Sequence, residues 1–198
     1  MKSMAVEKKE IDLTSVAQLY PPQGQWTEED YLFLPDTNRY VELSEGKLIM
    51  PPHPGNRHQA VLMEIAFRFR NFAQEKDVGT VRIAPLPVRL WPGKIREPDI
   101  LLVTKEHRDR IGEQVYGVPD LVVEILSPGT EHVDRGEKYF EYAKAGVREY
   151  WIVDPDEKKI EVYVEKRGVY QLFEKYSPGQ TAYSKILPGF KIDLDEIL

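Results

Sequence analysis

The chain has 198 residues, of which 41% are hydrophobic and 30% are charged, and its formal net charge is −6. This length and composition are typical of one folded domain and exclude a disordered or membrane-spanning protein, because no apolar run approaches the roughly 20 residues that a membrane span needs. The sequence contains no cysteine, which excludes disulfides, thiolate zinc sites and cysteine nucleophiles. Any metal must therefore bind oxygen or histidine ligands.

The charge distribution bears on location and on nucleic-acid binding. Residues 1–13 carry charges with no apolar stretch after them, so they do not resemble a secretory signal, and a cytoplasmic protein is expected. The acidic net charge is unfavourable for phosphate binding, which usually depends on clustered basic side chains. Charge acts locally, however, and the middle of the chain is basic. The residues concerned are Arg82, Arg89, Lys94, Arg96, Lys105, Arg108 and Arg110.

The first predicted elements are a short helix, a hairpin and a longer helix. Thr27 and the acidic residues after it form a capping pattern for a helix that Pro35-Asp36 would end. Residues 40–44 and 47–50 predict the two strands of a β-hairpin around Glu45-Gly46. After a Pro-rich break at 51–55, apolar residues recur at helical spacing and predict a helix from 56 to about 73.

The rest of the chain alternates between strands and one further helix. That helix should begin after residues 127–129 and run to about residue 145, where Gly146 ends it, and it should bury Tyr139, Phe140 and Ala143. The polar segment 105–114 is a loop or a short helix. Strands are predicted at 80–84, 87–90, 99–103, 121–126, 149–154, 160–164 and 170–174. This order predicts a mixed sheet flanked by helices, with an extension over 1–26 and a single α/β domain over 27–198.

Two carboxylates occur in otherwise apolar predicted strands. Asp99 opens one strand after Pro98, and Glu124 interrupts another that is apolar enough to be buried on both faces. A buried unpaired carboxylate is costly, so Glu124 needs a partner, a metal or a proton. If the two strands pair antiparallel, Asp99 and Glu124 lie close enough to share one cation, and such a site suits Mg²⁺ or Mn²⁺. Asp120, four residues before Glu124, would lie about 13 Å away, too far to join them.

A lysine on the following helix can reach the same place. The helix folds back along the Glu124 strand, and about two turns at roughly 1.5 Å per residue return Lys138 to the depth of Glu124. Asp134 and Tyr142 lie one helical turn on either side of Lys138, on the same face, and could orient its ammonium group.

Together these motifs resemble a known bacterial family. The segments that carry the resemblance are Pro98-Asp99, Leu-Val-Val-Glu-Ile-Leu-Ser-Pro at 121–128, Asp134 with Lys138 and Tyr142, Gly-Val-Arg-Glu-Tyr-Trp-Ile-Val-Asp-Pro at 146–155, the hairpin at 40–48 and His58. Over about residues 27–175 they resemble the Uma-type restriction endonuclease family of the PD-(D/E)XK nuclease superfamily.

The resemblance implies a restriction-endonuclease-like PD-(D/E)XK fold, with a central mixed β-sheet, an N-terminal hairpin and C-terminal strand additions. It also implies a divalent metal, nuclease chemistry and a homodimer. In that superfamily the third motif residue is usually a lysine two positions after the glutamate, but this position is Leu126 here. The resemblance implies that Lys138 takes the place of that lysine.

Each assignment leaves a structural alternative open. Glu124 could be a buried acid paired with an arginine, and Lys138 a solvated helix residue paired with Asp134. Glu42 matches an extra acidic residue of some superfamily members, but a cross-strand surface carboxylate explains it equally well. His58 could contact a metal-bound water or a phosphate, or be a surface residue or a local hydrogen-bonding partner at the start of its helix.

The sequence therefore predicts Mg²⁺- or Mn²⁺-dependent hydrolysis of phosphodiester bonds in DNA. Asp99 and Glu124 would hold the metal, and Lys138, Glu42 and His58 would complete the catalytic set. The alternative is a binding or regulatory protein on a nuclease fold that has lost turnover, which the acidic net charge favours. Cleavage of RNA or of a small nucleotide is also left open.

Overall fold

The computed structural model describes residues 20–35 and 40–198. Most of the predicted extension over 1–26 lies outside the described residues, and so does Asp36 of the predicted helix stop. The described chain forms a six-stranded, a four-stranded and a two-stranded sheet, with helices against the largest one. No helix in these ranges combines the length and the apolar character needed to cross a membrane.

The helices are α1 (Glu28–Leu32), α2 (Asn56–Lys76), α3 (Glu131–Asp134) and α4 (Glu137–Ala145), with 3₁₀ turns at Lys105–Arg110 and Leu194–Glu196. The strands are β1 (Glu42–Ser44), β2 (Lys47–Ile49), β3 (Gly79–Ile83), β4 (Val88–Trp91), β5 (Lys94–Arg96), β6 (Ile100–Thr104), β7 (Leu121–Ile125), β8 (Glu149–Asp154), β9 (Lys159–Lys166), β10 (Val169–Tyr176), β11 (Thr181–Tyr183) and β12 (Lys191–Asp193). Apart from β5, β11 and β12, these strands lie where the sequence predicts them.

The six-stranded sheet has the order β10-β9-β8-β7-β6-β3. Only β7 and β8 run parallel among these described strands, as expected for two strands joined through helices α3 and α4. The predicted antiparallel pairing of β6 with β7 is confirmed, with Ile100 opposite Val123. Every residue of β7 is buried, because layers of side chains cover both faces of the sheet.

Side-chain alternation along β7 divides the core into two layers. Val123 packs on the α2 side with Phe69 and Trp151, whereas Val122 packs on the α4 side with Tyr142 and Tyr150. Burial on both faces explains why β7 has an almost continuous apolar sequence. Asp99 precedes β6 and Glu124 lies near the end of β7, so the register places them side by side.

The four-stranded sheet, of order β2-β1-β5-β4, contains a strand that the sequence did not reveal. In β5 the side chains of Lys94 and Arg96 are buried, and both form ion pairs with Glu141 of α4. These two of the basic residues in the middle of the chain are therefore not on the surface. Their charges instead join the smaller sheet to the helix that carries Lys138.

The predicted second helix is interrupted. It is divided into α3 and α4 at Arg135-Gly136, and a Cβ atom at Gly136 would lie only 2.6 Å from the carbonyl oxygen of His132. This close approach requires glycine. Gly146 ends α4 in the left-handed conformation, as predicted. Phe140 was expected to be buried but is exposed, because it lies on the outer side of α4.

Candidate functional site

A pocket of about 220 Å³ lies at the junction of β6 and β7. One wall comes from β2 and the Pro-rich segment after it, and the other from residues 127–133. Its lining in the described chain contains the carboxylates of Glu42, Glu97, Asp99, Glu124 and Asp134, together with the basic side chains of Lys138 and His58. All five residues predicted as catalytic thus line one pocket.

Asp99 has one carboxylate oxygen in contact with two protein groups. Its Oδ2 accepts a hydrogen bond from the backbone N–H of Ile125 at 2.7 Å and lies 3.0 Å from Nε2 of His58. The first contact fixes Asp99 against the end of β7, and the second fixes it against the start of α2. No donor in the described chain contacts Oδ1, so this oxygen is available for a ligand.

Glu124 shows the same division between its two oxygens. Its Oε1 accepts hydrogen bonds from Lys138 Nζ at 3.0 Å and from the Tyr142 hydroxyl at 2.7 Å, both on α4. Oε2 has no donor among the described residues. The partners of this buried acid are a lysine and a tyrosine, so the alternative of an arginine partner is wrong.

Lys138 lies among several carboxylates. Its Nζ is 3.0 Å from Asp134 Oδ1 and 3.8 Å from Glu42 Oε1, in addition to its hydrogen bond with Glu124. The alternative of a solvated lysine is wrong, because its side chain is only 10% exposed. Burial by itself would lower the pKa of Lys138, but Glu124 and the neighbouring acids outweigh this effect and raise it well above its usual value. The ammonium group therefore stays charged.

Burial also determines the protonation of the acids. It raises the pKa of Glu124 and of Asp134, and the charge of Asp99 acts in the same direction on both, while Lys138 opposes the shift. Each carboxyl group therefore takes up a proton more readily than a solvated one. The cluster holds more carboxylates than basic groups, and either protons or a bound cation can supply further positive charge.

Glu42 and His58 are both buried, so their surface alternatives are wrong. Glu42 accepts a hydrogen bond from Arg96 Nη1 at 2.7 Å and another from the backbone N–H of Glu97 at 3.2 Å. Nδ1 of His58 is buried without a hydrogen-bond partner among the described residues.

Glu97 is a lining residue that the sequence analysis missed. It accepts hydrogen bonds from the Tyr31 hydroxyl and the Val41 N–H, each at 3.3 Å. Burial, with a contribution from Glu42, raises the pKa of Glu97 to about 7. The only sequence signal was an acid two positions before Asp99. Asp120 lies outside the pocket, as predicted, and accepts hydrogen bonds from Thr104.

The oxygen atoms of the pocket fit a cation that keeps part of its water shell better than a cation enclosed by protein ligands. No group of three His, Asp or Glu side chains within residues 20–35 and 40–198 is arranged to enclose a metal ion. Asp99 Oδ1 and Glu124 Oε2 have no donor among the described residues. Asp134 Oδ1 has an ion pair with Lys138 but no aligned hydrogen-bond donor in this part of the chain. Mg²⁺ usually retains several waters and binds through one or two carboxylates, so this set suits it.

Comparison with known proteins identifies the family. The model of the Uma2 family, described as "Putative restriction endonuclease", matches residues 28–195. The chain belongs to the Uma2 family. It is also 42% identical over 67 residues to a Synechocystis protein named "Uncharacterized protein slr1290", and this match spans 33% of the chain and 35% of that relative.

A solved structure shows the same architecture. The crystal structure of "a putative nuclease belonging to DUF820" from Anabaena variabilis aligns with a TM-score of 0.73 and 21% identity, covering 86% of this chain and 96% of that one. The fold is therefore the mixed α/β, restriction-endonuclease-like fold that the sequence predicts. The Uma2 match places the chain in a nuclease-type family.

Proposed function

We propose that this Uma2 protein hydrolyses phosphodiester bonds in DNA with Mg²⁺ or Mn²⁺ held by Asp99 and Glu124. The observation that carries the proposal is a pair of carboxylate oxygens, Asp99 Oδ1 and Glu124 Oε2, that have no donor among the described residues and belong to side-by-side residues in one pocket. The second oxygen of each carboxylate is already bound by protein donors, so both side chains are held in place before any ligand arrives. Such preorganisation is characteristic of catalytic sites.

In this proposal the metal would lower the pKa of a bound water and neutralise charge on the phosphoryl group. Lys138 contributes a permanent positive charge beside the reacting phosphate, where it can stabilise the charge that develops when water adds and the P–O ester bond breaks. Asp134 holds the lysine in position, whereas Tyr142, which was expected to orient the lysine, donates its hydrogen bond to Glu124. The products are a phosphomonoester and an alcohol, and the water supplies the proton of the alcohol.

In this proposal Glu42 and His58 would support the groups that hold the metal and the phosphate. Glu42 lies 3.8 Å from Lys138 and is itself held by Arg96, so it limits where the ammonium group can move. His58 orients Asp99 through Nε2, and its Nδ1 is buried without a hydrogen-bond partner among the described residues. We assign both to positioning and proton handling rather than to metal binding.

The direct test is a nuclease assay on plasmid and oligonucleotide DNA with Mg²⁺, Mn²⁺ or EDTA. We expect cleavage that requires a divalent ion and that is lost in Asp99→Asn and Glu124→Gln, because each removes one anionic ligand while keeping the side-chain volume. Undiminished cleavage in EDTA would refute the metal mechanism. The same preparation gives the oligomeric state by light scattering, where a homodimer is expected from the family resemblance.

The second candidate is a nuclease-fold binding or regulatory protein without turnover. The acidic pocket lining and the absence of a three-ligand metal group among the described residues favour it. It predicts no cleavage with any metal, although the protein still binds nucleic acid. Parallel cleavage and binding measurements therefore separate the two candidates.

A further inference from the structure

We infer that the site accepts a DNA strand that is unpaired at the cut position, such as single-stranded DNA, a flap or a frayed end, in preference to a continuous duplex. This inference rests on the proposed function and names its substrate class. Three features of the pocket support it: the depth of the carboxylates, the charges of the side chains around them, and the apolar rim.

The two proposed metal ligands lie at the bottom of the pocket. The side chains of Asp99 and Glu124 are only 12% and 3% exposed, and the pocket that leads to them has a volume of about 220 Å³. A phosphodiester must project into this recess to reach their free oxygens. In a duplex, base pairing and stacking hold each phosphate in line with its neighbours. An unpaired strand can rotate about its backbone and insert one linkage.

The charges around the pocket are unfavourable for a duplex. Lys138 and His58 are the basic side chains of its described lining, against five carboxylates. Three arginines that are sequence neighbours of lining residues are paired with acids: Arg57 with Asp156, Arg96 with Glu42 and Glu141, and Arg135 with Glu131 and Glu161. A duplex carries one negative charge for about every 1.7 Å of its axis and binds chiefly through unpaired Lys and Arg. An unpaired strand has a lower charge density.

The rim of the pocket offers apolar surface instead of charge. Tyr40, Ile49, Met50 and prolines 51, 52 and 54 line this side, and Met50 is 62% exposed. Aromatic side chains bind unpaired bases by stacking, without regard to sequence, and the flexible methionine adapts to such ligands. Bases inside a duplex are already stacked on one another. The rim therefore favours the bases of an unpaired strand.

The test uses the full-length protein and one DNA sequence in three forms: single-stranded, as a blunt duplex, and as a duplex with a single-stranded arm. Cleavage is measured with Mg²⁺ or Mn²⁺. Binding is measured by fluorescence anisotropy with Lys138→Met, which keeps both proposed metal ligands. We expect the single strand and the arm to be cut and bound at least about tenfold better than the blunt duplex, the effect of roughly one stacked base.

Met50→Ala should reduce this preference, whereas Met63→Ala serves as its control. Met63 is a similarly exposed methionine on α2 that does not line the pocket. Equal or better cleavage or binding of the blunt duplex would overturn the inference, and so would equal effects of the two methionine variants. If no DNA is cut but the single strand is still bound preferentially, the inference holds and the nuclease proposal fails. If neither form is bound, both are wrong.

Discussion

Replacing Lys138 by methionine tests the geometry of the site without any substrate. The change removes the charge but keeps an unbranched side chain, and it leaves Glu124 and Asp134 without the ammonium group 3.0 Å from each. Removing one partner of a buried ion pair typically costs about 3–5 kcal/mol. We therefore expect Lys138→Met to lower the free energy of unfolding by about 3 kcal/mol in EDTA at pH 8, because the carboxyl groups offset part of the loss by taking up protons.

The pH dependence provides an internal check on this prediction. The pKa of Lys138 is raised in the folded state, so its contribution is complete below its ordinary value of 10.5 and is lost only as the pH rises beyond it. At pH 8 the Lys138 ammonium group is therefore fully charged in the wild type. Burial raises the pKa of Glu124, so this acid is neutralised as the pH falls, and the difference between the variant and the wild type should shrink toward pH 5.

Urea unfolding is the assay, and Lys144→Met is the matched control. Lys144 lies on the same helix but is exposed, with its Nζ 4.4 Å from the centre of the Trp91 ring. Such a contact is worth about 0.5–1 kcal/mol at an exposed site. Mg²⁺ at ten times its Kd should return about 1.4 kcal/mol to the Lys138 variant. If the two variants are equally stable in EDTA at pH 8, Lys138 is not enclosed by carboxylates and the described site is wrong.

The remaining predictions concern turnover and a second buried acid. Lys138→Ala should lower turnover by about 10²-fold to 10³-fold, Lys138→Arg should restore little because a planar fork does not replace a compact charge, and Lys144→Ala should match the wild type. Glu149, outside the pocket, accepts hydrogen bonds from Trp151 Nε1 and from the N–H groups of Lys185 and Ile186. Glu149→Gln should therefore lower the free energy of unfolding by about 1–3 kcal/mol. Burial raises the pKa of Glu149, so the wild type should lose part of its stability advantage over this variant as the pH rises from 5 to 8. If the advantage of the wild type instead increases with pH, this reasoning is wrong.

The sequence predicts best those helices and strands in which every residue has a similar degree of burial. Strand β7 is buried on both faces, and its apolar run could only be a core strand. Strand β5 was missed because two of its three residues are charged, and its burial depends on Glu141, which lies far along the chain. The break at Gly136 was missed for a similar reason, since it depends on a close backbone approach and not on a change of periodicity.

The same distinction applies to the pocket. Asp99 and Glu124 could be placed side by side from strand pairing alone, because their positions within the two strands set the register. Which oxygen of each carboxylate is occupied could not be predicted. The donors are the backbone of Ile125, the side chain of His58 on α2, and Lys138 and Tyr142 on α4, and their convergence depends on how these elements pack together.

Leu126 explains why a helix can supply the lysine of the proposed site. Residues two apart on a strand point to the same face, and Leu126 belongs to the core that lies beneath α4, together with Val122 and Tyr142. Because α4 covers this face, it brings the Lys138 ammonium group to Glu124 from above the sheet. The side chain at position 126 can then be apolar and pack in the core, because the lysine charge comes from α4. Held by Asp134 as well as Glu124, the ammonium group has a more defined position than a single contact would give. The leucine at the usual lysine position and the buried lysine on α4 therefore follow from the same packing of helix on strand.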